Sequence, residues 1–248
     1  MLAPGALLVR YAFTAQLAGE AERARCRGWL QPEELARAAR FHFDDDRDAF
    51  VLAHALVNAT LSELLDAPLA SLRFSLGEHG RPELVQEGGA ARMRFNLAHT
   101  RGLVAAAFTL EHDIGIDVEH VDRRVGVAEL APRVFSPAER ASLDAQPTPE
   151  AQRARFFELW TLKEAYVKAI GKGLAAPLTQ ISFECEPLRD PPRMSFGPAV
   201  ADDASRFSLG VRSLGEHHAL AWAFACARPT RVELVEHVIA ASVPSKGS

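Results

Sequence analysis

Two short stretches of this sequence concentrate residues that can do chemistry. In GIDVEHV, from Gly115, strand alternation puts Ile116 and Val118 on one face. Asp117 and Glu119 fall on the other face, roughly 7 Å apart along the chain. Two carboxylates on one face can share a hard cation such as Mg²⁺, whose ligands are oxygens and whose remaining positions take water or phosphate. The same alternation also describes the solvated face of an ordinary strand. In FFELWTLKEAYVKAIGKGL, from Phe156, helical spacing gathers Thr161, Glu164, Lys168 and Lys172 into one stripe, with Lys163 at its edge. Glu164 and Lys168 form an i, i+4 pair, which in water is only a weak support for a helix, so this stripe too can be a wet face. Taken together the stretches say more: a third carboxylate completes a magnesium site, and the adjacent lysines can hold phosphate.

The elements that must position these groups come in two rounds. The opening MLAPGALLVRYAFTAQLAGE reads as a strand, and Pro32 to Leu65 as helix with a break near Asp44 to Asp46. Strand-like runs follow at Leu72, Met93 and Leu103, separated by the turn-rich GEHGRP and QEGGAA. After Asp113 the order repeats, with helices near Pro137 and Phe156 and then ISFEC, RFSLGVRS and HALAWAFACA. Residues repeat as well as order: Pro68 and Pro177, Leu69 and Leu178, and Phe74 and Phe183 are each 109 positions apart. RFNL from Arg94 matches RFSL from Arg206, and AAAF ending at Phe108 matches AWAF ending at Phe224. The expected fold is α+β: an internal duplication giving two pseudosymmetric halves, each a small antiparallel sheet with packed helices. The halves are expected at 1–111 and 112–241, with a frayed tail at 242–248, and an interface between halves is a natural ligand site.

Composition narrows the function classes. With 248 residues, 48% of them hydrophobic, the chain can bury a substantial core. A formal charge of -4 argues against general attraction to nucleic acid or anionic membrane, so an anionic ligand must be met by local basic groups. Cys26, Cys185 and Cys226 show no metal-ligand or disulfide spacing, which suits a reducing compartment. The N-terminus lacks a basic start and Arg10 interrupts its apolar run, and no segment reads as an uninterrupted apolar span; the expected location is the cytoplasm.

GIDVE from Gly115 and WTLKEAYVKAIGKGL from Trp160 resemble the two signature motifs of Sfp-type 4′-phosphopantetheinyl transferases. The resemblance extends to HGRPEL from His79, FNLAHT from Phe95 and, more loosely, QPEELARAARFHF from Gln31. It implies a fold of two pseudosymmetric halves with the active site in the cleft between them. It also implies an enzyme that transfers the 4′-phosphopantetheine group from coenzyme A to a serine hydroxyl of an apo acyl or peptidyl carrier protein, releasing adenosine 3′,5′-bisphosphate. By this resemblance Asp117, Glu119 and Glu164 bind Mg²⁺ together with the pyrophosphate of coenzyme A, Lys168 holds a phosphate, Lys163 assists or orients, and Glu164 is the candidate base, directly or through a water. Arg81 and His99 match positions that contact the 3′-phosphate and adenine of coenzyme A. There are departures: Ala98 stands where the family usually has Ser, and FHFDDDRD carries three aspartates where basic residues are common. Arg37, Arg40 and Arg47 are the compensating candidates for coenzyme A binding.

Two other classes use the same residues. One is a magnesium-dependent phosphohydrolase or nuclease, the other a non-catalytic module that binds carrier protein or nucleotide. The first lacks a basic or aromatic-rich surface stripe for nucleic acid, and the second has no need of four charged groups at one place. A carrier with an acidic helix would meet a mixed apolar and basic surface, for which Arg123, Arg124, Arg133 and Arg140 are candidates alongside an ordinary solvated role. A monomer is the expected state.

Overall fold

The computed structural model describes residues 2–77, 81–86, 92–173, 176–185 and 191–239. Parts of the two turn-rich stretches, including His79 and Gly80, lie outside the described residues, as do Leu174, Ala175 and the tail from 242. The chain divides into two compact units, Met1–Glu111 with a C-terminal segment beginning at Thr230, and His112–Pro229.

In the first unit, β1 (Ala6–Phe13), β4 (Met93–Thr100) and β5 (Leu103–Leu110) form a sheet with β11 (Arg231–Glu236), in the order β11-β1-β5-β4. Helices α1 (Glu20–Arg27), α2 (Pro32–Ala38) and α3 (Asp44–Leu65) pack with it, and β2 (Phe74–Leu76) pairs with β3 (Pro82–Leu84) as a separate hairpin. Its core gathers Leu8, Phe50, Leu52, Leu56, Leu61, Phe95 and Phe108. Asp44, Asp45 and Asp46 form the first turn of α3 and do not interrupt it; the break falls just before them. Carboxylates at a helix start meet the partial positive charge of the free N–H groups, which is why an acidic run opens a helix here.

In the second unit the sheet is β6 (Ile114–His120), β10 (His218–Phe224) and β9 (Ser208–Leu214), in the order β6-β10-β9. Helices α4 (Val127–Val134), α5 (Pro137–Asp144) and α6 (Pro149–Ile170) accompany it, with a hairpin of β7 (Ile181–Glu184) and β8 (Arg193–Phe196). The α6 helix starts where the Thr148 hydroxyl accepts from Ala151 N at 3.1 Å and ends at Gly171, whose φ of 66° is left-handed. It packs on β6 and β10 around Phe156, Phe157, Leu162 and Tyr166.

The topology repeats. In each unit the first strand pairs antiparallel with the third member of its set, which pairs with the second: β1-β5-β4 and β6-β10-β9. The long helices α3 and α6 each have 22 residues. Phe74 and Phe183 occupy the corresponding hairpins, and Phe95 and Phe207 lie in or immediately before the corresponding strands.

Two expectations change. The C-terminal half was expected to run to 241, but β11 leaves it and pairs in parallel with β1, from Ala6 opposite Arg231 to Tyr11 opposite Glu236. An unpaired edge on β1 would present a row of free backbone N–H and C=O groups, and β11 satisfies them. By length and composition alone α3 could also cross a membrane, and 61% of its apolar window is buried within the protein.

Candidate active site

The site is built by one close approach. A Cβ on Gly115 would stand 1.9 Å from Ala165 O and 2.5 Å from Ala169 N, so only glycine lets α6 lie this near β6. Glu164 and Lys168 directly precede those two alanines, and the contact therefore delivers both beside Asp117. Lys168 Nζ donates to Asp117 Oδ1 at 2.7 Å and to Ile116 O at 3.2 Å.

Asp117 and Glu119 are only 7% and 8% exposed, which removes the solvated-face reading of GIDVE. Glu119 Oε1 accepts from Trp160 Nε1 at 3.0 Å, and Oε2 lies 3.4 Å from Arg123 Nη1. Glu164 is half-buried. Burial raises the proton affinity of all three carboxyls above the ordinary range. The neighbouring charge of Asp117 raises Glu119 and Glu164 further, while Lys168 and Arg123 pull in the opposite direction.

Whether these residues suit Mg²⁺ can be judged from their own chemistry. Asp117 Oδ2 is buried and has no hydrogen-bond partner among the described residues. A buried carboxylate oxygen without a donor is costly, and a cation relieves that cost. All three groups are hard oxygen donors with raised proton affinity, so the set fits the ion. The expected triad is not assembled as a ready cage, however: among the described residues no three His, Cys, Asp or Glu side chains converge as metal ligands. Lys168 holds Asp117 Oδ1, and Trp160 and Arg123 hold the two oxygens of Glu119 instead, since charged carboxylates repel one another until a cation offsets them.

Lys163 departs from its expected role. It is fully buried, on neither the carboxylate cluster nor the wet stripe, and it pairs with the equally buried Glu139 at 2.8 Å. Its ammonium also donates to Leu178 O at 2.8 Å and to Ile181 O, so its three protons are all used. Glu139 in turn accepts from Ser136 N at 2.8 Å and Phe183 N at 2.9 Å. This is a bolt joining α5, α6 and β7, and the reason an ammonium is tolerated there is that every donor finds an oxygen. Thr161 also leaves the stripe, wholly buried with its hydroxyl bonded to Phe157 O. Glu139, Trp160 and Arg123 were not expected to take these places. Ser136-Pro-Ala-Glu139 is a helix-capping pattern that could have flagged Glu139 as an inward carboxylate.

The candidates for coenzyme A belong to the first unit. Arg81 Nη2 donates to Phe95 O at 2.8 Å, and His99 is an exposed residue of β4. Arg81 lines a shallow, open hollow together with Arg92, Arg94, Glu83, Gln86 and Met93. Arg37 and Arg40 are exposed, the former with its guanidinium 5.2 Å from the Phe50 ring centroid. Arg47 is engaged locally, with Asp44 at 2.5 Å and Phe41 O at 3.0 Å.

Comparison with known proteins covers both units. Residues 113–223 match the family model of the 4′-phosphopantetheinyl transferase superfamily, and residues 20–110 match that of the 4′-phosphopantetheinyl transferase N-terminal region. The 4′-phosphopantetheinyl transferase HetI of Nostoc sp. is 32% identical over 192 residues, covering 75% of this chain and 80% of the relative. The 4′-phosphopantetheinyl transferase Sfp of Bacillus subtilis is 32% identical over 161 residues, covering 65% and 69%. The solved holo-[acyl-carrier-protein] synthase of Thermotoga maritima is 22% identical, with a TM-score of 0.38 over 47% of this chain and 64% of its own, too distant to carry an argument.

Proposed function

This chain belongs to the Sfp-type 4′-phosphopantetheinyl transferase family, and from that we infer that it moves the 4′-phosphopantetheine group of coenzyme A onto a serine hydroxyl of a carrier protein. The observation that carries the reading to particular residues is the pair of buried Asp117 on β6 with the partly exposed Lys168 on α6, with Glu119 and Glu164 on the same two elements. In the reaction the serine oxygen attacks the β-phosphorus of coenzyme A. The bond from that phosphorus to the bridging oxygen breaks, and adenosine 3′,5′-bisphosphate leaves with the oxygen.

Glu164 takes the serine proton. Burial and the nearby Asp117 hold its proton affinity above that of a free glutamate in the metal-free site, which offsets the lowering that a bound Mg²⁺ would cause, and it acts as base directly or through a water. Lys168 offsets charge on the phosphoryl oxygens from a side chain already fixed by Asp117 and the Ile116 carbonyl. Mg²⁺, held by Asp117, Glu119 and Glu164, supplies further charge neutralisation of the pyrophosphate when bound. Arg81 and His99 contribute to holding the adenosine 3′-phosphate end, with Arg37, Arg40 and Arg47 as further candidates. Lys163 supports α6 from within the core and touches no substrate in this reading. The free thiols Cys26, Cys185 and Cys226 suit a cytoplasmic enzyme, and we propose that it acts as a monomer.

The test is incubation with coenzyme A, Mg²⁺ and an apo acyl carrier protein, followed by intact-protein mass spectrometry. The expected product is carrier heavier by one phosphopantetheine group on its serine, together with adenosine 3′,5′-bisphosphate. Release of the bisphosphate with unmodified carrier would make water the acceptor and the chain a hydrolase. Binding without turnover would leave only a binding module.

A further inference from the structure

Arg123 follows Glu119 by four residues, and a tight turn after β6, with Arg123 N donating to His120 O at 3.0 Å, returns it toward the strand. Its guanidinium meets Glu119 Oε2 at 3.4 Å while the side chain stays 49% exposed. The arginine's charge acts on the whole cluster, lowering the proton affinity of Asp117, Glu119 and Glu164 alike against the larger effect of burial. Lys168 does the same for these groups from the α6 side.

The two cations are held very differently. Lys168 donates to Asp117 Oδ1 and Ile116 O, among its interactions, from a side chain that is 31% exposed. Arg123 makes one long ion pair from a half-exposed arm, an interaction that water and salt weaken readily. Glu119 Oε1 already accepts one bond from the indole of Trp160, so Oε2 is the less committed oxygen, and Arg123 stands against it. A divalent ion reaching that oxygen meets a positive charge already in place.

We propose that Arg123 is a resident counter-cation of the carboxylate cluster that competes with incoming Mg²⁺ for Glu119 and is displaced when the ion loads. It thereby sets the Mg²⁺ concentration at which the site fills. This rests on the reading of Asp117, Glu119 and Glu164 as magnesium donors. Coupling between two ligands of one site is reciprocal, so removing the arginine must tighten Mg²⁺ by whatever the arginine gained from the carboxylate. For a partly exposed ion pair that gain corresponds to about a two- to fivefold change in affinity.

The experiment is isothermal titration of Mg²⁺ alone into the full chain and into Arg123→Ala, Arg123→Lys, Arg124→Ala and Asp117→Asn, each first checked by thermal melting. The expected result is about two- to fivefold tighter Mg²⁺ binding in Arg123→Ala, with Arg123→Lys and Arg124→Ala near wild type. Unchanged or weaker binding in Arg123→Ala, while wild type titrates and Asp117→Asn does not, overturns the role of Arg123 and leaves the donor reading standing. No Mg²⁺ binding by either wild type or Arg123→Ala, both alone and in a repeat titration with coenzyme A bound, overturns both.

Discussion

At the scale of single residues, the controlling fact is that Asp117, Glu119 and Glu164 are acids held where charge is expensive. Their proton affinities are raised above ordinary values of 3.8 for Asp and 4.5 for Glu, with burial as the largest cause. A folded state that binds protons more tightly than the unfolded one loses stability as pH rises. The cost is absent below the ordinary carboxylate range, grows as pH passes through the raised folded values, and is fully present above them. Glu164→Gln should therefore melt higher than wild type at neutral pH in the absence of Mg²⁺ and match it at acid pH. Equal melting at every pH would show that this burial carries no cost. Arg81→Ala and His99→Ala should raise KM for coenzyme A with little change in kcat, since contacts with the adenosine end are the same in ground and transition states; a collapse of kcat at unchanged KM contradicts that assignment. The types and spacing of Asp117, Glu119, Glu164 and Lys168 were legible in the sequence, because strand and helix periodicity fix which neighbours share a face. Lys163 was not, because its partner Glu139 lies 24 positions earlier on another helix and periodicity is silent about such pairs.

At the scale of elements, the site depends on the contact of α6 with β6 and on what holds α6 in place. Gly115→Ala would force its Cβ into the backbone at Ala165 and Ala169, a rigid neighbour that cannot rotate away. We expect a loss of about 1–3 kcal/mol, read from denaturant unfolding, with activity falling alongside as Glu164 and Lys168 shift from Asp117. Wild-type stability in Gly115→Ala would contradict the close approach. Lys163→Met leaves the buried Glu139 charge without its counter-ion and should cost about 3–5 kcal/mol, and adding Glu139→Gln should recover part of it by removing that charge. If Lys163→Met unfolds like wild type but transfers slowly, Lys163 belongs to the reaction after all. The sequence located β4, β5 and β6 closely because their apolar alternation is bounded by clear turns. It passed over α1, β3 and β8, whose short spans carry few apolar positions for periodicity to register, and α4, whose apolar pattern is interrupted by Pro132.

At the scale of the whole molecule, the duplication was legible because matching residues kept their order, and the repeated β1-β5-β4 and β6-β10-β9 arrangements bear this out. The return of β11 to β1 was not, since a parallel pairing across more than two hundred residues leaves no local trace. Ending the chain at Pro229 should therefore lower the melting temperature by stripping six backbone pairings from β1, although residues 230–241 read as part of the other half. The central claim is that the cluster on β6 and α6 performs the transfer, and the most direct measurement is the rate of carrier modification by Glu164→Gln over a Mg²⁺ titration. A glutamine keeps the shape and removes both the charge and the proton acceptor, so the rate should fall by about 10²–10³-fold at every Mg²⁺ concentration while the protein remains folded. A near-wild-type rate in Glu164→Gln would contradict the account.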